Sequence, residues 1–114
     1  MSIVLWKKIN RLPDSLYDHI FTEIHYEQDT KQITNFVVIQ LLEHEEVTHE
    51  VKKHDCAHQK YHIHNYYEGP HTKVINTTEP VTAELYWRAK KDILENWEEY
   101  RKRYIRKYFE NSNT

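Results

Sequence analysis

From Leu16 onward the chain alternates between apolar and polar positions with a period of two. Ile20, Thr22, Ile24 and Tyr26 point one way, and His19, Phe21, Glu23 and His25 the other. Gln28-Asp29-Thr30-Lys31 reads as a polar turn. Residues 33–42 follow as the most apolar segment, with Val37, Ile39 and Leu41 on one face and Phe36, Val38 and Leu42 on the other. A strand apolar on both faces is expected at the centre of a sheet, covered on both sides. Glu43 to Glu46 makes the next turn. Val47, His49 and Val51 then alternate with Thr48, Glu50 and Lys52. After a polar connection from His54 to Lys60, a fourth strand is expected over Tyr61–Tyr67, closed by Glu68-Gly69-Pro70. Such short connections imply antiparallel neighbours.

The period then changes. Tyr86, Ala89, Ile93, Trp97, Tyr100, Tyr104 and Tyr108 recur at three- and four-residue spacing, one stripe of a helix. Thr77 and Thr78 are candidate N-caps, and Pro80 suits a first helical turn. The expected architecture is α+β and a single domain over residues 1–114. A four-stranded antiparallel meander spans residues 16–67, and one long C-terminal helix over residues 79–109 packs on it. Residues 1–15 give no clear period, and Pro13-Asp14-Ser15 reads as a turn. A helix of this span is roughly 45 Å long, against a radius of gyration of about 13–14 Å for a compact chain of this size. A straight helix would overhang its sheet. Either it kinks, with Asn96 the candidate, or its aromatic end packs on another subunit, and a homodimer through the helix is expected.

Composition narrows the chemistry. The 114 residues carry a net charge of −2, so the whole chain is no polycation seeking nucleic acid. A single glycine excludes the Gly-rich phosphate loops of nucleotide-dependent enzymes. The lone cysteine, Cys56, forms no internal disulfide, no stretch reaches membrane-spanning length, and the N-terminal cations follow rather than precede the apolar run. A cytoplasmic protein without membrane contact is expected.

Nine histidines give the sequence its most distinctive bias. The densest segment is His54-Asp55-Cys56-Ala57-His58-Gln59-Lys60-Tyr61-His62-Ile63-His64. In a strand His62 and His64 share a face, about 6.5–7 Å apart. Asp55 and His58, in the turn feeding that strand, are close enough to fold over its start. Two imidazoles suit general acid–base cleavage of RNA, because histidine titrates near neutrality, and Asp55 would fix a tautomer. His58, His62 and His64 equally form a candidate ligand set for zinc or another divalent metal, although no cofactor is required. A third possibility is a solvated polar face with no task. Cys56 is more readily a small buried residue than a thiolate nucleophile. His19, His25, His44, His49 and His71 read as structural or solvated.

The order Asp55-x-Ala57-His58, then His62-x-His64, after a meander and before a helix, resembles TumE-like toxins of prokaryotic toxin–antitoxin modules. The resemblance runs roughly from Leu16 to Trp97. It implies a ribonuclease-type toxin neutralised by an antitoxin. His62 and His64 would be the acid–base pair, Asp55 the orienting carboxylate, and His58 a supporting or phosphate-binding residue. The Tyr- and Arg-rich tail departs from the pattern. In it Arg101, Lys102, Arg103, Arg106 and Lys107 interleave with tyrosines, a candidate surface for RNA or for an acidic antitoxin segment. The same cations also serve a helix by themselves, through Glu98–Lys102 and Glu99–Arg103 pairs and the C-terminal dipole. A non-catalytic dimeric binding module with a His-rich strand face is the alternative function.

Overall fold

The computed structural model describes residues 2–56, 60–69 and 75–110. It is an antiparallel meander of six strands in sequence order: β1 (Ile3–Arg11), β2 (Asp18–Glu27), β3 (Ile33–His44), β4 (Val47–Asp55), β5 (Tyr61–His64) and β6 (Ile75–Thr77). A 3-10 turn at Tyr66–Glu68 follows β5, and the helix α1 (Ala83–Tyr108) lies across β3 and β4. The α+β class is as expected, but the sheet has six strands rather than four. β1 escapes the alternation rule because Ile3-Val4-Leu5-Trp6 is apolar on both faces and Lys7-Lys8 polar on both. β6 is only three residues long.

Two boundaries also move. His54 and Asp55 belong to β4, not to a connection, since Asp55 pairs with His62 across β5 and His54 with Ile63. The fourth expected strand stops at His64, where the chain turns into the 3-10 segment. The helix starts at Ala83, later than expected. Thr82, extended at φ −140, caps it by accepting a hydrogen bond from the Leu85 N–H at 3.1 Å. Pro80 and the candidate caps Thr77 and Thr78 lie outside the helix.

The expected stripe is buried from Tyr86 to Trp97 and again at Tyr104, whereas Tyr100 is half-buried and Tyr108 is 38% exposed. Leu85, Tyr86, Ala89, Ile93 and Trp97 pack on Ile20, Phe36, Val38 and Tyr61, and Tyr104 packs with Leu42, Val51 and Tyr67. A bulge at Gln40/Leu41 leaves Val51 as the extra residue of β4, so that Val51 and Lys52 are both buried. The 26-residue helix is about 39 Å long, and the 12-residue β3 spans about 40 Å. The molecule is accordingly elongated, 56 × 29 × 22 Å with a radius of gyration of 15.2 Å. The helix therefore has a sheet of its own length beneath it. At its far end Phe109 stacks on His44 with ring centroids 3.9 Å apart. The aromatic end thus packs in part on the chain's own sheet.

The expectation that β3 is covered on both faces is met on one side only. Phe36, Val38, Gln40 and Leu42 lie under the helix, whereas Val37, Ile39 and Leu41 are half-buried on the opposite face, open in that no described element covers it. Strand pairing places Phe21 of β2 beside Ile39, and Lys53 and Asp55 of β4 beside Ile39 and Val37. The same open face continues onto β5 through His62 and His64. Among the described residues no helix is long and apolar enough to cross a membrane.

Candidate active site on the open face of the sheet

Strand register alone gathers most of the expected site. Asp55 is directly opposite His62, and Lys53 directly opposite His64. The Asp55 Oδ2 is 3.4 Å from His64 Nε2 and 3.8 Å from Lys53 Nζ. The His62 and His64 rings lie 6.4 Å apart and 30° from parallel, and Tyr66 stacks on His64 at 5.5 Å. Asp55 is buried, while Lys53 and both imidazoles are partly exposed. The set is thus a carboxylate at the base of two accessible imidazoles, with an ammonium beside it. His58 lies outside the described residues. Among the described residues no group of three His, Cys, Asp or Glu is arranged to hold a metal.

The basic segment of α1 is divided. The Arg101 Nε is 3.0 Å from the buried Asp18 Oδ2, which also accepts a 2.5 Å hydrogen bond from the Ser15 hydroxyl. Burial raises the Asp18 carboxyl above its ordinary range, against the opposing pull of Ser15 and Arg101. Arg101 and Lys102 border a hollow of about 690 Å³ between this loop and the helix. Arg103, Arg106 and Lys107 border a different hollow, of about 360 Å³, beside Tyr67 and Glu68. There the Arg103 guanidinium sits 4.5 Å from the Tyr67 ring centre. These cations belong to the helix layer, on the side of the sheet away from His62 and His64. They do not join the histidines in one site.

A second polar cluster, between sheet and helix, carries no signal strong enough to find it in the sequence. Lys52 and His54 both face the helix, and Asp92 of α1 meets them. Asp92 Oδ2 lies 2.9 Å from Lys52 Nζ and 2.9 Å from His54 Nε2, and its Oδ1 accepts from the Tyr100 hydroxyl at 2.6 Å. The other His54 nitrogen, Nδ1, is 2.6 Å from the Tyr61 hydroxyl. Burial would raise the Asp92 carboxyl. Hydrogen bonds from His54, Tyr100 and Lys52, with the ammonium charge, outweigh it and hold the group well below the usual carboxylate range. Burial depresses the His54 imidazole despite its bond to Asp92, and pushes the Tyr61 and Tyr100 phenols up. A neutral His54 donates from Nε2 to Asp92 and accepts at Nδ1 from Tyr61, so every polar group is matched. The Tyr–His end of the resulting Tyr–His–Asp chain is buried, with Tyr61 only 5% exposed. It ties the helix to β4 and β5.

Cys56 is 1% exposed, and its thiol is pushed up to about 12 by burial. It is a core residue, not a nucleophile.

One family model matches residues 8–110, and its description is a domain of unknown function, DUF7718. No curated protein and no solved structure matches the chain.

Proposed function

We propose that this chain, which belongs to the DUF7718 family, is an RNA-cleaving domain of the toxin–antitoxin kind, with His62 and His64 as its acid–base pair. The observation that carries the reading is the Asp55 carboxylate 3.4 Å from His64, directly across the strand pair from His62. One imidazole takes the proton of a 2′-hydroxyl, whose oxygen attacks the adjacent phosphorus. The bond from phosphorus to the 5′ oxygen breaks, and the other imidazole protonates that leaving oxygen. The products are a 2′,3′-cyclic phosphate and a 5′-hydroxyl. Asp55 orients His64, and Lys53 brings positive charge to the phosphate. The site lies on the sheet face opposite the helix, which suits an extended single strand. An antitoxin would silence it by covering that face, and the whole cycle belongs in the cytoplasm.

The test is cleavage of single-stranded RNA by the purified protein. His62→Ala and His64→Ala should each abolish it with the fold intact, and Asp55→Asn should slow it about 10- to 100-fold. Cleavage unchanged in both histidine variants would refute the assignment.

A second reading has its own support. Phe21, Val37, Ile39 and Leu41 form a half-buried apolar field on the same face as the histidines, across Lys53 and Asp55 of β4. A non-catalytic interaction module would use that field to bind a protein partner. Wild-type protein that neither cleaves nor binds RNA would favour this second reading.

A further inference from the structure

The sheet has one long edge, β1, and no other described element covers it. β1 runs for nine residues in unbroken register with β2, with no proline, glycine or bulge. Natural edge strands are usually shortened, bulged, charged or covered, and of these devices β1 has only the charges of Lys7, Lys8 and Arg11. Here Ile3, Leu5 and Ile9 are 49%, 51% and 58% exposed, and Trp6 is 40% exposed.

The direction of the free backbone groups follows from two hydrogen bonds. The Leu12 N–H donates to the Asp18 carbonyl, and the Ser2 carbonyl accepts from the Gln28 N–H. Even-numbered residues of β1 therefore turn their backbone toward β2. Ile3, Leu5, Lys7, Ile9 and Arg11 turn theirs outward. An antiparallel partner strand must hydrogen-bond to these five.

We propose that two copies of this chain pair antiparallel through β1, about a two-fold axis at Lys7, to form a continuous twelve-stranded sheet. Only this register uses all five outward residues, for about ten inter-chain hydrogen bonds. It sets Leu5 against Ile9 of the partner subunit, twice, on the open face, where their apolar surface joins that of Phe21 and Ile39. It sets Trp6 against Lys8 of the partner subunit, twice, on the helix side, a pairing of cation and aromatic face. A register two residues longer puts Lys8 opposite its own copy, and one two residues shorter puts Leu5 opposite Lys7. In the favoured register Lys7 meets its own copy, but each Lys7 Nζ is 3.7 Å from Glu23 of its own chain, which offsets the repulsion. The strand is thus self-complementary along its length, which singles out a second copy over an unrelated strand. The dimer axis runs through the sheet edge and not through the helix.

Sedimentation across a dilution series tests this. The full chain should sediment at twice its 14.1 kDa mass and dissociate on dilution. Lys7→Pro removes an outward N–H and no bond to β2, so it should give a monomer that melts as the wild type does. Should that variant unfold, Ile9→Glu decides, with the same monomer expected. Val4→Cys/Asn10→Cys, a pair facing across the axis at a position without hydrogen bonds, should oxidise to a covalent dimer. A wild type that stays monomeric at high concentration overturns the proposal. So does a dimer that survives Ile9→Glu or that fails to cross-link through residues 4 and 10.

Discussion

The Lys52 ammonium and the Asp92 carboxylate lie 2.9 Å apart between sheet and helix, with side chains only 9% and 24% exposed. A buried charge is tolerated only with its partner in place. Asp92→Ala should therefore cost about 3–5 kcal/mol, because it strands the ammonium and removes the acceptor of His54 and Tyr100. Replacing both charges together, as Lys52→Met/Asp92→Leu, should restore most of that loss. Urea unfolding of the two variants against wild type measures the difference.

His54 gives the fold an acid sensitivity. Its imidazole is held below the ordinary 6.5 by burial, so the unfolded chain binds a proton that the folded chain refuses. The stabilisation is present above pH 6.5 and is lost as pH falls from there toward the depressed value. Unfolding free energy should drop by at most about 1.4 kcal/mol per pH unit from this group. His54→Gln should remove that part of the slope, read from melting temperatures between pH 4.5 and pH 7.5. Asp92 acts the same way lower down, below its ordinary 3.8.

The β3–β4 hairpin is made with the wrong residues for its geometry. His44 pairs with Val47, so Glu45 and Glu46 form the whole loop, at φ 52 and φ 66. A two-residue loop with both φ positive favours Asn-Gly. Glu45→Asn/Glu46→Gly should raise stability by about 1 kcal/mol, seen as a higher melting temperature. An unchanged melting temperature would show that the turn is not strained.

Cys56 should resist thiol reagents in the folded protein and react only on unfolding, since its thiol is both buried and pushed up to about 12. Rapid labelling in native buffer would contradict this placement.

What was legible in the sequence was what repeats. The alternation from Ile20 to Tyr26 and the stripe from Tyr86 to Tyr104 gave the middle strands and the helix. The pairing of His62 with His64 on one face followed from strand period alone. The lost features depend on distance along the chain. Lys52 and His54 have the spacing of strand neighbours, but only Asp92, some forty residues on, turns their face inward. Arg101 reads as part of a basic run, and only the buried Asp18 shows it to be tied down. Asp55 looked like a loop residue because polarity outweighed pairing, yet its strand position is what brings it to His64.

The side-chain amide of Gln40 donates to the Trp97 carbonyl, 57 residues later in the chain. The meander is built from neighbouring hairpins, which close early and fast, whereas the helix that covers it follows all six strands in the chain. Until residue 97 and beyond has emerged, Phe36, Val38 and Leu42 have no cover. Synthesis therefore passes through a stage with a formed sheet and a bare apolar face, and a chain truncated before the helix should aggregate rather than wait.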